Sequence, residues 1–197
     1  YIDYKPNIIA ISKTFPLKQI MPLINYGHIH FGENKVQEAL EKWTEIKNKN
    51  QNIKLHMVGK LQTNKVKFVL PLFDFIHSLD SLRLAKKISE EQKKYENKPK
   101  IFIQINIGNE SQKSGIDKSQ LSEFYNECIN LGLDICGTMC LPPVDNDPDI
   151  YFSEMKKITN ILNLNDMSMG MSEDYLKAVE YSSTHLRIGS KIFGARS

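Results

Sequence analysis

The chain has 197 residues, 41% hydrophobic and 25% charged, which are the proportions of an ordinary globular domain and exclude a disordered chain. Its 26 basic and 23 acidic residues are interspersed and give a net charge of +3, which excludes the basic stripe of a nucleic-acid-binding protein. No apolar run approaches the ~20 residues that span a bilayer, and three cysteines without metal-ligand or disulfide spacing indicate a reducing compartment, so we expect a cytoplasmic protein without a membrane partner.

Eight short apolar segments rich in β-branched residues predict strands along the whole chain. They cover residues 8–12, 28–32, 55–59, 75–79, 101–107, 134–140, 166–170 and 185–189. The segments between them predict helices. Val36, Leu40 and Trp43, for example, recur at helical spacing, and Ser81 and Ser172 are typical N-caps.

The strict alternation of strands and helices predicts parallel strands joined by crossover helices. Eight strands favour a closed (β/α)8 TIM barrel, formed by residues 1–197 as a single domain. An open Rossmann-like sheet is the alternative, but no G-x-G-x-x-G sequence follows any predicted strand. Little sequence follows the eighth strand, so we expect a helix preceding Tyr1 to pack into the gap beside it.

The side chains of barrel strands alternate between the interior and the surrounding helices. In the fifth strand the isoleucines suit the helix layer, which turns Gln104 and Asn106 inward. In the eighth strand the same alternation turns Arg187 and Gly189 inward, and Lys13 continues one face of the first strand. Because a lysine and an arginine are costly to bury without a partner, this interior predicts an anionic or electron-rich ligand between them.

The loops after the seventh and eighth strands, "SMGMSED" and "RIGSKIFG", have the composition of a phosphate site. They offer small residues, the hydroxyls of Ser168, Ser172 and Ser190, and amides at helix N-termini, at the end of the barrel where such enzymes bind phosphate groups. A lysine, an inward arginine and a phosphate site together indicate a phosphorylated aldehyde. Pyridoxal 5'-phosphate (PLP) fits, because its aldehyde condenses with a lysine amine.

Seven segments, in order along the chain, resemble the pyridoxal phosphate homeostasis proteins, relatives of the N-terminal barrel of alanine racemases. They are "AISKTFP", "FGENKVQEAL", "LHMVGKLQTNKVK", "HSLDSLRLAKKI", "IFIQINIGNESQKSGI", "MSMGMSEDYLKAV" and "STHLRIGSKIFGAR". The resemblance implies PLP held as an internal aldimine on Lys13. It implies further cofactor contacts at Asn34, Val58, Ser168, Arg187, Gly189 and Ser190.

The resemblance also implies a role in intracellular PLP (vitamin B6) and amino-acid homeostasis without established catalysis. Arg187 agrees with this role, because a positive charge near the pyridine nitrogen disfavours its protonation and weakens the electron sink. Related racemases also use an arginine there, but they add a second domain and a tyrosine supplied across a dimer. We therefore predict a monomeric PLP carrier that is not an enzyme, with apo PLP enzymes as candidate recipients. A PLP-dependent amino-acid racemase-like enzyme is the alternative.

The same residues allow other interpretations. Lys13 alone resembles a lysine that reaches for solvent from a strand end, or one that forms a Schiff base with a sugar phosphate in a cofactor-free enzyme. Arg187 could form a structural ion pair with Asp80 or Glu33, and Asn34 could cap the helix that follows it. Four histidines are scattered along the predicted strands without metal-ligand spacing, which favours hydrogen-bonded core residues over zinc ligands: His28, His30, His56 and His77.

Overall fold

The computed structural model describes residues 4–110, 112–144 and 146–194, and its eight strands form a closed parallel barrel. The strands are β1 (Asn7–Ile11), β2 (His30–Glu33), β3 (Lys54–Met57), β4 (Phe75–Leu79), β5 (Lys100–Ile105), β6 (Ile135–Cys140), β7 (Asp166–Met171) and β8 (His185–Ile188). Each strand pairs with the next, and β8 closes on β1, with Ala10 opposite Ile188. The predicted (β/α)8 fold is confirmed.

A helix follows each strand. The helices are α1 (Leu17–Asn25), α2 (Val36–Lys49), α3 (Val66–Val69), α4 (Leu82–Gln92), α5 (Leu121–Asn130), α6 (Pro148–Ile161), α7 (Tyr175–Glu180) and α8 (Ser190–Phe193). The short α3 ends at Val69. Leu70 after it keeps helical backbone angles, and Pro71 has no N–H with which to continue the helical hydrogen bonds. Ser81 caps α4 as predicted, its hydroxyl accepting a hydrogen bond from the Leu84 N–H at 3.4 Å.

The cap expected at Ser172 is wrong, and so is the alternative interpretation of Asn34 as a cap. The helix after Ser172 begins only at Tyr175, so the residue at the N-cap position is Asp174. The helix after Asn34 begins at Val36, with Lys35 at the N-cap position and no side-chain cap. The side chains of Ser172 and Asn34 are therefore not used for capping.

The barrel separates its apolar side chains into an outer and an inner layer. Ile101, Ile103 and Ile105 point outward and are buried against the helices. Phe102 points inward, where its ring stacks on that of His77 with the centroids 4.2 Å apart. The alternation predicted for the fifth strand is therefore confirmed.

The two ends of the described chain lie near the closing strands. After β8 the single turn of α8 brings the ring of Phe193 onto Phe15, with the centroids 5.0 Å apart. The helix expected before Tyr1 lies outside the described residues. Among the helices that the structure describes, none combines the length and the apolar character needed to cross a membrane.

Candidate functional site

A cavity of about 1010 Å³ opens at the carboxyl ends of the strands, the face where barrel proteins place their ligand sites. Gln104 and Asn106 line this cavity, as the alternation along the fifth strand predicted. The predicted cofactor-binding residues that also line it are Lys13, Asn34, Val58, Arg187, Gly189 and Ser190. The barrel thus brings both ends of the chain to one mouth.

The backbone on both sides of Lys13 is fixed by side chains from α2. The Ser12 carbonyl accepts a hydrogen bond from Lys42 Nζ at 2.8 Å. On the other side Thr14 adopts a left-handed φ of 69°, and its N–H donates to Glu38 Oε1 at 2.5 Å. A threonine rarely adopts such a φ without support, and here the carboxylate supplies it. Lys13 therefore leaves a strand end whose direction is determined by its neighbours.

The centre of this support is a buried carboxylate, Glu33 at the end of β2. Its Oε1 accepts hydrogen bonds from the Ser12 hydroxyl at 2.7 Å and from Trp43 Nε1 at 2.9 Å. Lys42 Nζ lies 2.7 Å from the same oxygen and 2.9 Å from Glu38 Oε1. We call Glu33, Glu38 and Lys42 the Lys13 clamp. Sequence reasoning missed its role, although the i,i+4 spacing of Glu38 and Lys42 on one helix was a signal for part of it.

Arg187 is buried in the floor of the cavity, with 5% of its surface exposed. Its Nη1 donates to the carbonyl and to the hydroxyl of Ser168, both at 2.6 Å, and its Nη2 donates to the Cys140 carbonyl at 2.7 Å. Burial lowers the pKa of Arg187 from its usual value. Within the described ranges Arg187 forms no ion pair, so the alternative pairing with Asp80 or Glu33 is not formed.

Ser168 lies one layer deeper than expected. The residue is fully buried beneath Arg187 and does not line the cavity, so the structure places it against the guanidinium instead of at the cavity surface. Ser172 lines the cavity in its place, and its hydroxyl accepts a hydrogen bond from the Gly189 N–H at 3.3 Å. Both serines come from the "SMGMS" segment. The alternation of side chains along this segment predicted which face of the strand each serine occupies. It did not predict how far below the cavity surface each serine lies.

Asn34 and Val58 reach the mouth because the chain after β3 packs closely on the chain after β2. A Cβ atom on Gly59 would lie 2.6 Å from Asn34 Cα, so only glycine allows this approach. The side-chain oxygen of Asn34 is buried and has no hydrogen-bond partner among the described residues. A buried polar atom without a partner at a cavity edge is what a polar ligand would satisfy.

Below Arg187 the barrel is filled with aromatic and imidazole rings. Burial lowers the pKa of His56 and of His77 well below the usual range, and it lowers the pKa of His185 to about 4. All three rings are hydrogen-bonded, as the core interpretation of His56 and His77 expected. In the part of the chain that the structure describes, no cluster of three or more His, Cys, Asp or Glu side chains could hold a metal ion.

The cysteines are poor candidates for nucleophiles. Burial raises the pKa of Cys128 and of Cys140 to about 12, so both thiols stay protonated at neutral pH. The nucleophiles that line the cavity are therefore lysine amines. Lys113 and Lys177 are paired with carboxylates and Lys60 is exposed, whereas Lys13 is half-buried just after β1. Together with the guanidinium of Arg187, the hydroxyls of Ser172 and Ser190 and the bare backbone of Gly189, the Lys13 amine fits a small molecule that carries an aldehyde and an anionic group.

Comparisons with known proteins agree with this chemistry. The profile of the family described as alanine racemase, N-terminal domain, matches residues 3–197. The pyridoxal phosphate homeostasis protein of Pasteurella multocida is 34% identical over 200 residues, which cover 96% of this chain and 86% of the relative. The protein of the same name from Escherichia coli K12 is 33% identical over 199 residues, covering 96% and 85%.

Solved structures give the same result. PipY of Synechococcus elongatus without PLP superposes with a TM-score of 0.89 at 31% identity, covering 96% of this chain and 93% of PipY. PipY with PLP bound gives a TM-score of 0.84 at 29% identity, covering 98% and 95%. Alanine racemase of Clostridium difficile, 14% identical with a TM-score of 0.75, shares the fold over 98% of this chain and 53% of the racemase. The chain belongs to the family of pyridoxal phosphate homeostasis proteins, built on the N-terminal barrel of alanine racemases.

Proposed function

We propose that this protein binds PLP as an internal aldimine on Lys13 and acts in intracellular PLP and amino-acid homeostasis without being an enzyme. The observation that carries the proposal is that Lys13 and the buried Arg187 line one cavity at the carboxyl ends of the strands. The relatives' name and the PLP bound to PipY support the choice of ligand.

Each residue of the site has a role that follows from its chemistry. When bound, PLP supplies an aldehyde that reacts with a lysine amine, and here the amine is that of Lys13. Arg187 places a fixed positive charge in the floor of the cavity, since Ser168 and Cys140 hold its guanidinium from below. Gly189 leaves open space beside Ile11. A Cβ atom added to Gly189 would lie no closer than 3.5 Å to any described residue except its chain neighbours, so the absence of a side chain there leaves that space to a ligand.

The other predicted cofactor-binding residues lie at the edge of the cavity or beneath its floor. Asn34, Val58 and Ser190 would contact the cofactor directly, and the buried amide oxygen of Asn34 would gain a partner. Ser168 would act through Arg187. The cationic Arg187 disfavours a protonated pyridine ring, but related racemases also use an arginine there, so this charge does not separate the two functions. The name of the relatives, pyridoxal phosphate homeostasis protein, is the reason to propose a carrier over a racemase-like enzyme. A racemase assay on the purified protein separates the two functions.

The first prediction concerns the lysine. Protein incubated with PLP is expected to turn yellow, and reduction with borohydride is expected to attach PLP to Lys13, as mapped by mass spectrometry of peptides. The Lys13→Ala variant should lose the colour and the adduct. Lys60→Ala is the matched control, because Lys60 also lines the cavity but is exposed. An adduct on Lys60, or an unchanged adduct yield in Lys13→Ala, would contradict the proposal.

The partners of the carrier are proposed on the same basis. We expect a monomer of 22.7 kDa in solution, which light scattering coupled to size exclusion tests directly. Apo PLP enzymes are the proposed recipients of the cofactor. If so, mixing the holo-protein with an apo-enzyme restores that enzyme's activity faster than an equal concentration of free PLP does. We also propose that residues 1–197 form one PLP-binding domain.

A further inference from the structure

A continuous series of hydrogen bonds connects Arg187 to the opposite end of the barrel. The hydroxyl of Ser168, which accepts from Arg187, lies 2.8 Å from His77 Nδ1. His77 Nε2 lies 2.9 Å from His56 Nδ1, and His56 Nε2 lies 2.9 Å from His30 Nδ1. We call these five residues the interior series. They come from β8, β7, β4, β3 and β2, so only the closed barrel brings them together.

The hydrogen bonds of the interior series can be oriented in one direction so that the Ser168 O–H and the ring N–H groups of His77 and His56 each have an acceptor. The Ser168 hydroxyl accepts from the guanidinium, and its single hydrogen finds His77 Nδ1 as its acceptor. A neutral imidazole carries one proton, so His77 then carries it on Nε2 and donates to His56 Nδ1. By the same step His56 carries its proton on Nε2 and donates to His30. Every hydrogen bond thus points away from Arg187.

The two central rings have no room to turn. His56 and His77 are fully buried. The ring of His56 stacks on Phe75 with the centroids 4.3 Å apart and 3° between the planes, and the ring of His77 stacks on Phe102 at 4.2 Å and 17°. The lowered pKa values of both histidines keep them neutral at pH 7, as the direction of the series requires. The His77 Nδ1 lone pair is therefore a fixed acceptor.

We propose that His77 is a positioning residue for Arg187: it holds the Ser168 hydroxyl in the orientation that presents the oxygen lone pairs to the guanidinium. Its consequence for the cofactor rests on the proposed PLP function. Without the acceptor on His77, the Ser168 hydroxyl can rotate and turn its hydrogen towards the N–H groups of Arg187. The guanidinium then loses a hydrogen bond that fixes its orientation in the cavity floor. His77 itself does not line the cavity, so this effect is transmitted through Ser168.

The first test needs no cofactor. Long-range proton–nitrogen NMR spectra of ¹⁵N-histidine-labelled apo-protein report which ring nitrogen carries the proton. His77 is expected to be neutral, with the proton on Nε2 and none on Nδ1. A protonated Nδ1 on His77, in a neutral or charged ring, would overturn the proposal. This spectrum is recorded on the unmodified protein, so it decides the matter even where a variant does not fold.

The second test uses matched variants. His77→Phe keeps a ring to stack on Phe102 but removes the acceptor, and Ser168→Ala removes the hydroxyl. Each is expected to weaken PLP binding about tenfold, because each removes one hydrogen bond from the support beneath the charged Arg187. The double variant should be no weaker than either single one, because both changes remove the same support. His77→Asn, whose side-chain oxygen can replace Nδ1 as the acceptor, should recover most of the affinity.

His185→Phe is the control, because His185 is an equally buried barrel histidine bonded to Asn7 and Thr184 and lies outside the interior series. It should leave PLP affinity and the Arg187 Nε–H resonance unchanged, whereas His77→Phe should shift that resonance in the apo-protein. Equal effects of the two histidine variants would reduce His77 to a packing residue and overturn the proposal. If the unmodified protein binds no PLP, the proposed function fails, while the NMR spectra still decide the role of His77.

Discussion

The residue that most tightly constrains the mouth of the barrel is a glycine. Gly59 lies against the backbone of Asn34, and a Cβ on it would approach both Cα and Cβ of Asn34 to 2.6 Å. Real Cβ contacts are essentially never this short, and backbone atoms cannot move aside as the end of a side chain can. The ends of β2 and β3 would have to separate, and Asn34 would move with them.

Gly59→Ala is therefore predicted to affect both stability and binding. Overpacking of this kind costs about 1–3 kcal/mol of unfolding free energy, and displacement of Asn34 should weaken PLP binding several-fold. Gly132→Ala is the comparison. Gly132 has a φ of +70°, but a Cβ added to it would meet no atom within 4 Å, so its cost is backbone strain alone. Urea unfolding and PLP titration of both variants separate the effects: a Gly132 variant that loses as much affinity would contradict the prediction.

At this scale the sequence predicted which way side chains face but not how deep they lie. Alternation along the strands correctly placed Gln104, Asn106 and Arg187 at the cavity. The same alternation could not tell that Ser168 lies below Arg187, since depth depends on the stagger between β7 and β8, where the register shifts. The cap expected at Ser172 failed because α7 begins later, at Tyr175.

At the scale of elements, the Lys13 clamp joins the end of β1 to the first turns of α2. The Thr14 N–H is held by Glu38, and the Ser12 carbonyl by Lys42, so a single helix holds the backbone before and after Lys13. Lys42 is 11% exposed and Glu33 is fully buried, which makes their ion pair depend on its hydrogen bonds. The direction of the lysine thus depends on how α2 docks on the barrel.

Glu38→Ala is predicted to loosen Lys13 without removing it. The Thr14 N–H loses its acceptor and the left-handed φ of Thr14 its support, so stability should fall by about 1–2 kcal/mol and the borohydride-trapped yield on Lys13 should drop. Glu41→Ala is the control, because Glu41 lies on the same helix but is exposed and accepts a hydrogen bond from Gln37 instead. Trapping yields that fall equally in both variants would show that the clamp does not direct the lysine.

The number and order of the secondary-structure elements were predicted better than any other feature of the structure. All eight predicted strands are present, because period-2 runs of β-branched residues between helical segments allow few other folds. The boundaries moved: β2 begins at His30 instead of His28, and β5 ends at Ile105 instead of Ile107. Strand ends depend on pairing with neighbours across the sheet, and a single sequence does not contain that pairing.

At the scale of the whole molecule, closure of the barrel brings side chains from distant strands together in an interior that no local sequence pattern predicted. His56, His77 and His185 are distant in sequence and looked unrelated, yet their rings meet in one core. Burial lowers the pKa of each, to about 4 for His185 and well below the usual range for the other two. The folded barrel therefore excludes protons that the unfolded chain binds.

This exclusion predicts that the protein loses stability on mild acidification. Below pH ~6.5 the unfolded histidines bind protons and the folded ones do not, so the free energy of unfolding falls with pH by about 1 kcal/mol per histidine between pH ~7.5 and ~5.5. The three histidines together give about 3 to 4 kcal/mol. Urea unfolding at both pH values, followed by fluorescence of the single tryptophan, the buried Trp43, measures the change.

The His77→Phe variant provides the internal comparison for this prediction. This variant has one neutral histidine fewer, so between the same two pH values its free energy of unfolding should fall by about 1 kcal/mol less than that of the unmodified protein. This difference is expected whatever the stability of the variant at the higher pH. A chain equally stable at both pH values would mean that the core histidines accept protons in the folded state. In that case the direction assigned to the interior series, which requires neutral His56 and His77, would also be wrong.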